Sequence, residues 1–149
     1  MLVYVFLIFH KSRYSLLGNS QSNKLILSDN LDSISKQKDR IIKDYMVSNL
    51  IKNLETDSLQ SVYLIGNKKL LVIDSLGIYD IKTFKPDYVL LRNSPKINLT
   101  RLIALLSPKL IIADGSNYKT YVERWKTTCD KTKTPFHQTH EKGALIINY

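Results

Sequence analysis

A layered α/β domain is the fold class that the sequence predicts, and three observations predict it. The runs Tyr88–Leu91 (YVLL) and Leu110–Ala113 (LIIA) are apolar without alternation, as strands covered on both faces are. Each run is followed by a segment with helical apolar spacing, so strand and helix alternate, and such crossovers set consecutive strands parallel. An amphipathic stripe earlier in the chain supplies a further helix to cover a sheet face.

Residues 1–9, MLVYVFLIF, read as a buried strand that begins abruptly, as in a segment of a longer protein. Nine apolar residues fall well short of the about 20 that a membrane-spanning helix needs. The run starts at Met1 with no basic segment before it and is followed by His10, Lys11, Ser12 and Arg13, which is not the pattern of a secretory leader. A second short run at 14–17, a polar turn at 18–23 and Leu25, Ile26 and Leu27 complete a β-meander.

Asp32 or Ser33 then caps a long helix with Ile34, Ile41, Ile42, Tyr45, Met46, Leu50, Ile51 and Leu54 on one stripe. Lys36, Lys38, Asp39, Arg40, Lys43 and Asp44 fall largely off it. Between residues 53 and 61 the chain becomes polar. Residues 62–65 and 70–73 flank Gly66-Asn67-Lys68-Lys69 as a hairpin whose glycine supplies a positive φ. Asp74 closes its second strand, and an irregular connection leads to Pro86.

Beyond the first buried strand, Asn98 caps a helix over Leu99–Leu106 that Ser107-Pro108 stops. After the second, Ser116 or Asn117 caps a helix to about residue 131 with Tyr118, Tyr121, Val122 and Trp125 on its apolar face. Pro135 ends it, 136–139 form a short strand, Glu141-Lys142-Gly143 turn, and 144–149 form a last strand at an edge or in the centre of a sheet. The expected organisation is one domain over 1–149. Residues 1–60 give the meander and the long helix, and 61–149 give the hairpin and a β-α-β-α-β-β core.

Bulk composition is that of an ordinary folded chain, 44% hydrophobic and 23% charged, with one pronounced bias. Lys and Arg number 22 against 13 Asp and Glu, a formal charge of +9. This favours contact with phosphate or anionic lipid, although lysine usage from an AT-rich genome accounts for it equally. A lone cysteine, Cys129, excludes an intramolecular disulfide and any Cys-based metal cluster, and no base stands near it to make it a nucleophile. No GxGxxG, GxxxxGK[ST] or GxSxG pattern is present. Asp74 and Asp114 both end strands, the place where open α/β folds bind ligands, but two carboxylates alone are a weak signature. His137 and His140 would point to opposite faces of a strand and make a poor metal pair.

The segments SVYLIGNKKLLVID, PDYVLLRNSPKINL and PKLIIADGSN, the helix with Arg124-Trp125-Lys126, Pro135-Phe136-His137, and Glu141-Lys142-Gly143-Ala144 together carry a resemblance. From Ser61 onward the chain resembles the C-terminal segment of the ComEC family of competence proteins, in its Bacteroidetes form. The resemblance implies a mixed sheet with helices packed on its faces, similar to the metallo-β-lactamase fold. It also implies a parent channel that carries transforming DNA across the inner membrane.

Carried onto this chain, Asp74 matches the aspartate of that fold's LIDxG hairpin, and Asn93, Pro95, Ile97 and Asn98 fall where its HxHxDH metal motif would stand. Proline and isoleucine offer no side-chain donor atom and asparagine is a poor zinc ligand, so the motif reads as lost. What the resemblance then implies is a non-catalytic, DNA-contacting accessory domain with no catalytic residue, no metal and no cofactor. Its phosphate contacts would be Lys96, Arg101, Lys119 and Arg124, and its partners DNA and a transmembrane channel part of the same or a parent protein. The segment itself is expected to be soluble, its parent in the inner membrane, the side left open. Two alternatives stand beside this one: a metal-dependent hydrolase or nuclease of that fold with a displaced ligand set, and a protein-interaction module without DNA contact.

Overall fold

A computed structural model describes residues 4–29, 39–79 and 84–149. Strands β1 (Tyr4–Ile8), β2 (Leu16–Gln21) and β3 (Lys24–Asp29) form an antiparallel meander. Helix α1 (Arg40–Ser48) then leads to β4 (Asn53–Ser58), which pairs parallel with β3. The last strand, β10 (Leu145–Asn148), returns to pair antiparallel with β1, giving a first mixed sheet in the order β10-β1-β2-β3-β4.

The second mixed sheet runs β5-β6-β7-β8-β9. Its hairpin is β5 (Val62–Ile65) and β6 (Lys68–Ile73), turning at Gly66 with φ of 61°. Strands β7 (Tyr88–Leu91), β8 (Leu110–Ala113) and β9 (Phe136–Gln138) follow in parallel. Helix α2 (Leu99–Leu106) connects β7 to β8 and α3 (Lys119–Thr132) connects β8 to β9, with a single-turn α4 (Thr139–Lys142) after β9.

Strand alternation explains why the sheets stack. Phe6, Ile8 and Leu17 on one face of the first sheet pack against Leu70, Val72, Leu90 and Ile112 on one face of the second. The opposite residues of the second sheet, Leu71, Ile73, Val89, Leu91 and Ile111, pack under Leu102 of α2 and Val122, Trp125 and Cys129 of α3. Leu7, Leu16, Leu25 and Leu27 on the outer face of the first sheet pack under Ile42 of α1. The result is four layers, helix, sheet, sheet, helix, in which each fully buried Leu or Ile contributes about 1.5–3 kcal/mol.

Local rules account for the second half closely. Asn98 caps α2 by accepting from the Arg101 N–H at 3.1 Å, and Ser107 ends it in the left-handed region. The α/β class and the parallel strand order are those expected, with the strands divided between two mixed sheets.

The first half departs from expectation in three places. The long helix stops at Ser48 because Leu50 takes a φ of 55° and the Ile51 N–H bonds back to the Met46 carbonyl, turning Ile51 into the core while Leu50 is left 79% exposed. The N–H groups of Lys52 and Asn53 both reach the Asn23 carbonyl, so the polar stretch, for which no strand was expected, is drawn in as the exposed edge strand β4. Residues 18–21, read as a turn, lie in β2, since backbone pairing with both β1 and β3 outweighs the weak strand preference of Gly-Asn-Ser-Gln. The expected caps Asp32 and Ser33, with Ile34, Lys36 and Lys38, lie outside the described residues. Asp39 caps α1 instead, accepting from the Ile42 N–H and binding Lys11 Nζ at 2.6 Å. At the other end, the expected turn 141–143 is taken up largely by α4, and β10 lies at a sheet edge.

The inter-sheet layer sets the stability. Leu90→Ala is expected to cost about 3 kcal/mol in urea denaturation, whereas Ile146→Ala, on the exposed side of β10, changes it by less than about 0.5 kcal/mol.

Candidate nucleic-acid interface

Parallel strands β7 and β8 end side by side, so the segments that follow them, 92–98 and 114–118, emerge on one edge of the second sheet. Asn93 and Ser94, with φ of 55° and 50°, turn back toward the second loop and are held there by its side chains. The Asn93 N–H donates to Ser116 Oγ at 2.9 Å, the Ser94 N–H to Asn117 Oδ1 at 2.7 Å, and the Tyr118 N–H to Ser94 Oγ at 2.8 Å. Asn117 Nδ2 donates to the Leu91 carbonyl at 2.7 Å. Ser116 and Asn117, expected as helix caps, serve to join the two loops, and α3 starts after Tyr118 with no side-chain cap.

The loop between β1 and β2 closes the edge from the other sheet. A Cβ at Gly115 would overlap the Lys11 carbonyl, so only glycine allows this approach, and the Arg13 N–H donates to the Gly115 carbonyl at 2.7 Å. The docking brings His10, Ser12 and Arg13 beside residues far along the chain. His10 Nδ1 lies 2.9 Å from Thr139 Oγ1, and the rings of His10 and His140 are 5.5 Å apart.

At the centre sits Asp114, 3% exposed. Its Oδ1 accepts from the Ser116 N–H at 3.1 Å and from the Ser116 hydroxyl, while Oδ2 meets no donor at hydrogen-bond geometry. Burial pushes its carboxyl above the usual carboxylate range, against the pull of Ser116, of Ser15 and of the Arg92 guanidinium, which favour the charged form. Arg92 is itself buried and donates from Nε to Ser15 Oγ at 3.0 Å. Burial lowers the His10 pKa, the neighbouring His140 lowers it further, and Asp114 acts in the opposite sense.

Three hollows follow this edge. One of about 150 Å³ is lined by His10, Asp114, Lys119, Gln138 and His140, among others. A wider one of about 700 Å³ lies between Arg13, Ser94, Tyr118 and Lys119, and a groove of about 500 Å³ runs between Lys96, Asn98, Tyr121 and Arg124. The Arg124 guanidinium stacks over the Tyr121 ring at 5.2 Å. Of the four expected phosphate contacts, Lys96 and Arg124 share one groove and Lys119 lines the two neighbouring hollows, while exposed Arg101 on α2 lines none of the three. Among the residues lining these hollows, buried Asp114 is the one carboxylate.

The four positions matched to a metal motif have other duties. Asn98 spends its side-chain oxygen on the helix cap, Ile97 packs against the core, Pro95 is buried, and Asn93 is fixed through its backbone. This donor set does not fit a metal ion. Among the described residues no group of three His, Cys, Asp or Glu side chains is placed to hold one. Asp74 Oδ1 accepts from the Leu76 N–H in a local turn, and β6 and β8 are two strand spacings apart, roughly 9–10 Å, so Asp74 and Asp114 do not form a close pair. His137 Nε2 bonds the Gly143 carbonyl at 2.9 Å. Cys129 is buried, and burial pushes its thiol up to about 12, which keeps it protonated.

The model of the ComEC C-terminal domain matches residues 6–149. The chain belongs to the ComEC C-terminal domain family. Searches of curated proteins and of solved structures return no match. ComEC membership carries with it a role in a competence DNA-uptake protein. Among the described residues of this ComEC domain, no helix is long and apolar enough to cross a membrane.

His10 and His140 were not singled out as a pair in the sequence, because 130 positions separate them and only the Gly115 docking brings them together. Two measurements probe the edge. Gly115→Ala forces the β1–β2 loop off and is expected to cost about 2 kcal/mol or more in urea denaturation. The folded protein holds the Asp114 proton to a higher pH than the unfolded chain, so stability from this group falls as pH rises from the unfolded value of 3.8 through the raised folded value. Asp114→Asn removes that loss, so its urea midpoint exceeds the parent's at pH ~7 and the gain vanishes at pH ~3. A variant no more stable than the parent at neutral pH contradicts this reading.

Proposed function

We propose that the chain is a non-catalytic, DNA-contacting accessory domain of a competence DNA-uptake channel protein. Its four layers support a metallo-β-lactamase-like scaffold whose metal motif has been replaced at Asn93, Pro95, Ile97 and Asn98. The transmembrane channel part of the same or a parent protein, in the inner membrane, is the partner that the ComEC context supplies.

The observation that carries DNA contact is the row of cations along one edge. Arg13, Lys119, Lys96 and Arg124 line adjoining hollows there, and the single carboxylate among them is buried. A polyanion laid along the edge meets positive charge at each hollow and releases counterions as it binds. Side-chain hydroxyls and amides of Ser94, Asn98 and Ser12 stand between the cations, the residue types that position a phosphate backbone without reading sequence.

Affinity for duplex DNA, followed by fluorescence anisotropy, is expected to fall steeply with salt, with a log–log slope of about −3.6 for four phosphate contacts. Lys96→Glu with Arg124→Glu should weaken binding and flatten that slope by about 2. Arg101→Glu should have the smaller effect. Affinity absent at low salt, or unchanged between about 50 and about 200 mM salt, leaves an interaction module without DNA contact as the reading to adopt.

A further inference from the structure

Strands β6 to β9 run parallel, and nucleic-acid contact uses only the edge at which they end. At the opposite edge each of the four begins beside a lysine. The Asp87 N–H donates to the Lys69 carbonyl at 2.9 Å and the Lys109 N–H to the Asp87 carbonyl at 2.8 Å, so the entries to β6, β7 and β8 lie side by side. Lys68 starts β6, Lys85 precedes β7, and Lys131 and Lys133, at the end of α3, precede β9. Lysine-rich composition can supply these residues, but only the parallel order gathers them from four separate stretches onto one edge about 14 Å wide. Against six lysines stand Asp87 and Asp130.

Part of this charge is used within the fold. Lys85 Nζ donates to the Leu105 carbonyl at 2.6 Å, at the C-terminal end of α2, and Lys109 Nζ lies 3.3 Å from Asp87. Lys109 lowers the pKa of Lys68, first through a hydrogen bond between the two amines and then by like charge, a repulsion that an anion relieves. Lys131 and Lys133 form no ion pair among the described residues. Large apolar side chains stand among the cations. Leu64, paired across the hairpin with Lys69, is 69% exposed, and Leu105, whose carbonyl holds Lys85, is 39% exposed. None of the six lysines lines the hollows of the opposite edge. Ammonium groups on flexible stems beside exposed leucines, away from any of these hollows, suit a flat anionic surface with an apolar layer beneath it.

We infer that this edge rests on an anionic lipid bilayer, with its lysines over headgroup phosphates and Leu64 and Leu105 reaching toward the acyl boundary. Each lysine close to such a surface contributes about fivefold in affinity. The charges act together, because the edge is little wider than one Debye length of about 8–10 Å. Lipid contact here does not depend on DNA contact at the other edge. The two edges are opposite ends of the same strands, so both partners can be held at once.

The test is co-sedimentation of the 149-residue chain with vesicles of phosphatidylcholine alone or with about 30% phosphatidylglycerol. The anionic vesicles are expected to bind at least about tenfold tighter at about 50 mM salt. Lys69→Gln with Lys131→Gln, both at exposed positions and expected to keep the parent's urea midpoint, should weaken that binding about 25-fold. Lys96→Gln with Arg124→Gln removes the same charge from the opposite edge and should weaken it by less than about threefold. Leu64→Ser should weaken it about threefold with the salt dependence unchanged, and no loss there overturns the apolar part of the contact. Equal losses in the two double variants overturn the assignment, since they report total charge and not position. Vesicle binding retained in Lys69→Gln, Lys131→Gln while DNA binding falls makes this edge a second nucleic-acid contact and overturns the lipid assignment too. Failure of the parent to bind anionic vesicles overturns it and leaves DNA contact, read separately by anisotropy, standing.

Discussion

The apolar layer between the two sheets is the constraint on which the rest depends. Phe6, Ile8 and Leu17 must meet Leu70, Val72, Leu90 and Ile112, so neither sheet can turn that face to water. The second sheet is then covered twice, by the first sheet and by α2 and α3, and its central strands have no residue free to be polar. Chemistry is displaced to the strand ends. There Arg92 and Asp114 are the first residues past β7 and β8, and the loops they begin carry the polar groups that the strands could not.

That displacement concentrates opposing charges. A carboxyl group buried at the end of β8 carries the cost of desolvation, which Arg92, Ser15 and Ser116 reduce without removing. The surrounding rim is cationic. On the proposed reading, an edge of this kind draws polyanions from solution while one acidic group stays buried behind the cations.

What the sequence disclosed and what it hid divide along the range of the interactions involved. The cap at Asn98, the stop at Ser107, the strands at 88–91 and 110–113 and the parallel order are set by neighbours a few residues away, and these were legible. The end of α1 was not. Its apolar stripe continues through Leu50 and Leu54, and only the pull of the Asn23 carbonyl on residues 52 and 53 turns the chain into β4. Lys96, in the loop after β7, and Lys119 and Arg124, on α3, were candidate cations in the sequence. Arg13, His10 and His140 join them through the contact of Gly115 with Lys11, which no spacing in the sequence encodes. Ser116 and Asn117 looked like caps because their side chains cap in most settings; here a second loop within reach competes for the same oxygens.

The pairing of β10 with β1 ties residues 145–148 to residues 5–8. Its ladder joins the earliest and latest described strands, so it closes a long loop, a step that is slow in folding. During synthesis β1 can find β2 and β3 at once, yet its other edge stays open until β10 has left the ribosome. The edge is made of Val5, Phe6, Leu7 and Ile8, a short apolar strand of the type that pairs with foreign strands when left uncovered. Arrival of β10 thus covers an open border: until it docks, the first sheet keeps a sticky edge that favours aggregation.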